Sequence, residues 1–243
     1  MPDINMANRQ CCDVDIRDYV TKKPFLDADF CNATTAGFSG DAVWATKKGA
    51  KCIAFDNPLD GTMALEFQVH PFKVYALLSD GEIETTAIVA WRETVVADGT
   101  NKISVTKGVP DAGSVFVFAK GDFGGTALEV TVSGKDITGT FTEGEEYDVA
   151  YLETRTKGVK KISFNNKKVP KYYWVQMSTV DKNENGELVP LRMTCYKGKP
   201  VRNLDLSFAS EGDPATIKIE LTCLEDANGD ILDMIEITDE DEA

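Results

Sequence analysis

The chain has 243 residues, of which 42% are hydrophobic and 27% charged. That composition sits near the average for folded domains, so it excludes wholesale disorder and allows one large core, or one domain carrying a smaller insertion. Lys and Arg number 26 against 40 Asp and Glu, a formal net charge of -14. A surface built to grip nucleic acid needs the opposite balance, because lysine and arginine must neutralise phosphates.

No run approaches the roughly 20 apolar residues of a membrane-spanning helix, and Met1-Pro2-Asp3-Ile4-Asn5 has neither the basic start nor the apolar stretch of a signal peptide. A cytosolic product with no membrane partner is therefore expected. Cys11, Cys12, Cys31, Cys52, Cys195 and Cys223 show no C-x-x-C spacing and no histidine cluster, which predicts reduced thiols and no zinc.

In chain order, residues 1–50 are small and polar with little sustained alternation, which predicts an arm or loose lead-in ordered by neighbouring subunits. Residues 52–55 and 63–69 read as strands, the second placing Met63, Leu65, Phe67 and Val69 on one face. From Pro71 to Leu78 the spacing turns helical, with Asp80-Gly81 as the stop, and one flanking α-helix is expected there. Beyond it the apolar period is two, broken by turns such as Asp98-Gly99, Gly124-Gly125, Asn185-Gly186 and Asn228-Gly229. The chain is predicted to be mainly β.

Short strands at 103–106, 114–118, 127–132 and 147–153 form a compact run within 93–156. It reads as a small inserted β subdomain or as more strands of the main domain, which takes in 51–92 and 157–238. Two hairpins are expected after it, 172–180 with 188–196 and 201–208 with 215–222, the second turned at 210–214. In the latter, Leu204, Leu206 and Phe208 share one face, and Ile217, Ile219, Leu221 and Cys223 share one face of the partner. A strand at 231–237 precedes the acidic tail 239–243, in which Asp239-Glu240-Asp241-Glu242 should be solvated.

No catalytic, cofactor or metal residue emerges. His70 is the single histidine, placed directly before Pro71, and a structural role at that turn outweighs catalysis. No G-x-G-x-x-G, P-loop or G-x-S-x-G occurs. Asp181, Asn183, Asn185 and Gly186 imitate the opening of an EF-hand, but Arg192 stands where a bidentate Glu is needed and Pro190 lies inside the loop, so a hairpin tip is the better reading. The turn 226–230 has the same explanation. Lys157, Lys160, Lys161, Lys167, Lys168 and Lys171 form either an edge strand protected by lysine or a contact with an acidic neighbouring subunit.

Taken together, Leu65-Glu66-Phe67-Gln68-Val69, the helix through Phe72 to Leu78, Tyr172-Tyr173-Trp174-Val175, Pro190-Leu191-Arg192-Met193 and the run from Asp205 through Ser210-Glu211-Gly212-Asp213-Pro214-Ala215-Thr216 to Ile217 resemble the major tail (tail tube) proteins of long-tailed phages. The resemblance spans roughly 55–237. It implies a β-sandwich or partly closed barrel, no enzymatic activity, and hexameric rings stacked into a hollow tube of the virion tail, assembled in the host cytoplasm. Its partners would be other copies of itself and other tail proteins, with DNA passing without specific binding. A ligand-binding or adhesin-like β-sandwich, carbohydrate-binding or decorating a capsid, is the alternative. In that case Trp44, Trp91, Tyr172, Tyr173 and Trp174 would form a stacking platform.

Overall fold

The computed structural model describes residues 4–237, and the acidic tail expected at 239–243 lies outside them. In chain order, β1 (Met6–Ala7), β2 (Asp13–Asp18), β3 (Pro24–Ala28), β4 (Ala33–Ser39), β5 (Ala42–Lys47), β6 (Ala50–Asp56) and β7 (Asp60–Phe67) precede a 3-10 helix, Phe72–Leu78. Then come β8 (Ala87–Val96), β9 (Lys102–Ser104), β10 (Phe116–Ala119), β11 (Val130–Ser133), β12 (Asp136–Gly139) and β13 (Glu146–Arg155). The series closes with β14 (Tyr173–Asn183), β15 (Leu188–Pro200), β16 (Ile217–Leu224) and β17 (Leu232–Glu236). The fold is mainly β, as the alternation predicts.

The chain divides into two compact units, one made of the residues up to Glu82 and from Ile162 onward, the other of Ile83–Lys161. The first is a nine-stranded sheet in the order β3-β2-β14-β15-β16-β7-β4, with β1 on β14 and β17 on β15. Its path ends at β3 and β4, so among the described residues it does not close into a barrel. Phe67, Leu65 and Met63 stand opposite Ile217, Ile219 and Leu221, which puts two apolar rows on one face. The buried Val14, Ile16, Tyr173, Val175 and Met177 continue that core, and Val74, Leu77 and Leu78 of the helix join it. Such burial is worth about 1.5–3 kcal/mol for each large side chain.

The helical segment is where the spacing puts it but winds as 3-10 rather than α. Pro71 precedes it in extended backbone, and only seven residues remain before the stop. Val74 N donates to Pro71 O at 3.0 Å and Ser79 N to Ala76 O at 3.1 Å, the i to i+3 pattern that short helices favour.

The N-terminal segment is not a loose lead-in. β2 lies between β3 and β14, and Val14 and Ile16 are fully buried. Two apolar residues among the aspartates of Asp-Val-Asp-Ile-Arg-Asp are too short a window for period two to register.

The hairpin expected from 201–208 and 215–222 does not form. β16 pairs with β7 along its length and with β15 only from Lys197↔Leu224 to Pro200↔Leu221. Val201 N still donates to Glu220 O at 2.8 Å, but Asn203 N turns back to Val201 O and the chain peels away. An alternating stretch says which side chains share a face, not which strand it joins. Gly212 does have a left-handed φ of +106°, with nothing within 4 Å of an added Cβ. Gly212→Val is therefore expected to cost only the local strain, about 1–2 kcal/mol in urea unfolding, and to leave the β16 register intact. A larger loss would show that the turn organises more than itself.

The second unit consists of the sheets β10-β13-β8 and β11-β12-β9 around Ile103, Val117, Ile137, Val149 and Tyr151. It begins at Ile83 rather than at 93 because β8 pairs with β13 over its full length, from Ala87↔Arg155 to Val96↔Glu146. Buried Glu93 accepts from Thr106 Oγ1 at 2.6 Å, Tyr151 Oη at 2.7 Å and Thr106 N at 3.0 Å. Burial alone would raise its pKa, but these hydrogen bonds outweigh it and hold the carboxyl below its ordinary value. The same bond and, first, burial push Tyr151 up to about 12. A depressed carboxylate stabilises above its unfolded pKa and loses that contribution as pH falls through the folded one. Tyr151→Phe leaves Glu93 and Gly108 N each one partner short and should lower stability at pH 7 by about 1–3 kcal/mol. That loss should shrink at pH 3, and a loss that did not vary between the two would contradict the charged network.

Candidate assembly surfaces

The groups that could carry chemistry are built into the fold. His70 Nε2 lies 2.7 Å from Tyr75 Oη, and its ring packs 5.3 Å from Phe67, so it pins the turn before the helix. All six cysteines are free thiols. Cys195 and Cys223 are buried in the sheet, and the hydrogen bond between them together with burial pushes the Cys195 thiol far up. Burial likewise pushes Cys31 up to about 12, well away from a reactive thiolate. Among the described residues no group of three His, Cys, Asp or Glu side chains is placed to hold a metal. Among the described residues no helix is long and apolar enough to cross a membrane.

The loop with Asp181, Asn183 and Asn185 is a hairpin tip: Asn183 accepts from Glu187 N at 2.9 Å and donates to Glu187 Oε2 at 2.7 Å, and Gly186 has φ +89°. The turn at 226–230 wraps around Asp226, whose Oδ1 accepts from Asn228 N and Asp230 N. The lysine-rich stretch is not an edge strand. It is irregular, and three of its lysines are engaged within the chain: Lys161 with Glu84 at 2.8 Å, Lys168 with Asp80 at 3.0 Å and Lys171 with Glu82 at 2.7 Å. Within their own units the aromatic residues have separate settings. Tyr173 is core, Trp91 sits in the second unit with Nε1 on Glu153, and Trp44 stands on a separate hairpin.

That hairpin is the most exposed regular structure in the first unit. Among the described residues β5 and β6 pair only with each other. Every residue of β6 is exposed, and all of β5 but half-buried Ala42. The register sets Val43 opposite Phe55 and Ala45 opposite Ile53, so one face is a row of apolar side chains, with Phe55 60% exposed. Trp44 points to the other face, with Lys51 Nζ 5.0 Å from its ring centroid. An isolated two-stranded hairpin is marginal in water, and an uncovered apolar row on it marks a contact site. The sequence reading finds β6 at residues 52–55 and leaves β5 inside the loose lead-in, although neither strand has a buried face. The signal lies in the turn, where Lys48 and Gly49 both take positive φ, at 54° and 84°.

The second surface is the segment 201–216, which has no strand partner. Leu206 is 44% and Phe208 89% exposed. Between Val201, Asn203 and Asp205 on one side and Thr216, Lys218 and Glu220 on the other runs a groove of about 150 Å³. Among the described residues the edge of β16 facing it, from Ile217 to Ile219, carries no strand. Open edges of this kind template pairing with another chain.

The chain matches no curated protein. Exposed apolar hairpin, unpaired alternating segment and open sheet edges in a β fold are the features of a subunit made to associate. In keeping with them, residues 9–237 match the YomU/Tube protein family, and the chain belongs to that family of phage tail tube structural proteins.

Proposed function

We propose that the chain is the subunit of a hollow tail tube, in which six copies close a ring, rings stack, and phage DNA passes through the channel. The observation that carries this is the β5–β6 hairpin, whose apolar row of Val43, Ile53 and Phe55 stands exposed among the described residues. A neighbour covering that row supplies the burial the hairpin lacks, and strands added at the open edges of the nine-stranded sheet continue it between subunits. Family membership supports the reading, and the charge agrees with it. A chain of net charge -14 repels phosphate, so DNA passing such a wall finds few places to stick.

Sedimentation velocity over a range of protein concentrations tests the stoichiometry. Six-subunit rings and their multiples are the expected species. A monomer–dimer equilibrium that saturates would overturn the hexamer.

A further inference from the structure

In a chain of such negative charge, one surface of the first unit concentrates cations on aromatic rings. Tyr19 and Tyr172 meet edge to face, centroids 6.3 Å apart. Lys22 Nζ stands 4.8 Å from the Tyr19 ring, Lys199 Nζ 4.7 Å from Tyr172, and Lys197 Nζ 5.4 Å from Tyr172 and 5.9 Å from Tyr19. Lys197 also donates to Glu225 O at 3.3 Å, but no described carboxylate is ion-paired with any of the three.

The turn that presents Lys22 is tightly built. Asp18 Oδ1 accepts from Val20 N, Thr21 N and Thr21 Oγ1, and Lys22 takes a φ of 57°, a left-handed backbone that a lysine rarely adopts.

The described chain ends at Ile237, at the opposite end of the same sheet. β17 runs antiparallel to β15, and Ile237 N donates to Pro190 O at 2.9 Å, next to the start of β15. Nine residue steps along β15 separate Pro190 from Lys199, about 30 Å at a strand rise of ~3.3 Å. Residues 238–242 span at most about 18 Å when fully extended. Ile237 thus lies at one end of β15, whose other end carries Lys197 and Lys199, with Lys22 beside them on the turn after β2, and Asp239-Glu240-Asp241-Glu242 follow Ile237 in the sequence.

We infer that the Lys22–Lys197–Lys199 cluster on Tyr19 and Tyr172 is a docking site for the acidic segment Asp239-Glu240-Asp241-Glu242 of a second copy of this chain. This rests on the self-assembly proposed above and specifies one contact of it, a head-to-tail one in which complementary charge occupies opposite ends of the subunit.

The test uses the full chain and two variants, one with Asp239→Asn, Glu240→Gln, Asp241→Asn and Glu242→Gln, the other with Lys22→Gln and Lys199→Gln. In low salt both should raise the concentration at which assembly sets in by about tenfold, and the difference from wild type should fade near 1 M salt, where charges are screened within about 3 Å. Carbodiimide coupling of a mixture of ¹⁴N- and ¹⁵N-labelled wild-type protein should join the tail to Lys22 or Lys199 in mixed-isotope pairs. Assembly of both variants within twofold of wild type, or tail couplings only within one chain, would overturn this contact and leave the tube reading standing. Wild-type protein that never assembles would overturn both. Lysine variants that lose affinity for double-stranded DNA while the tail variant assembles normally would assign the surface to phosphate instead and refute the inference.

Discussion

Ile16→Ala is expected to destabilise the subunit by about 2–5 kcal/mol, the range for deleting a fully buried aliphatic side chain whose site collapses only partly. Ile16 has no exposure, stands opposite Val175 in β14 and Leu26 in β3, and belongs to the main core cluster. Asp13→Ala is the control: it lies on the same strand, is exposed, and should shift stability by less than about 0.5 kcal/mol. Urea unfolding followed by tryptophan fluorescence gives both values. Equal, small effects would mean that the N-terminal segment is an appendage and that the core ends without it.

The second large effect falls on assembly rather than folding. Val43→Ser with Phe55→Ser removes two facing apolar side chains that touch no core of their own unit. The folded subunit should keep its stability to within about 0.5 kcal/mol. Covering such side chains in a neighbour contributes about 1.5–3 kcal/mol each, so at a factor of ten per ~1.4 kcal/mol the pair should raise the assembly concentration at least about a hundredfold. Sedimentation velocity reads it. Unchanged association would remove the hairpin from the interface.

What the sequence discloses follows from how each strand is buried. β7 and β16 are buried on one face only, so Met63, Leu65, Phe67 and Ile217, Ile219, Leu221 alternate clearly and both strands are legible. The β14–β15 hairpin is legible for the same reason, with Asn185-Gly186 marking its tip. β2 is not, because its apolar content is two residues set among aspartates. β5 is not, because it has no buried face to create a period.

The segment 201–208 misleads in the opposite direction. Leu204, Leu206 and Phe208 alternate as a strand would, yet only Leu204 packs against the core of this chain while Phe208 stands in solvent. A pattern selected for contact with a second subunit carries the same period as one selected for an internal sheet. The alternation of Leu204, Leu206 and Phe208 is legible in the sequence, but it does not disclose that the segment joins no strand of its own unit among the described residues. The lysine–tyrosine cluster leaves no such trace, since Tyr19, Lys22, Tyr172, Lys197 and Lys199 come together only through the pairing of β2, β14 and β15.

Negative-stain electron microscopy of the purified chain, taken through increasing concentration, tests self-assembly into a tube most directly. Six-fold rings and hollow tubes of uniform diameter are the predicted result. Particles that remain monomeric at every concentration and salt would contradict it.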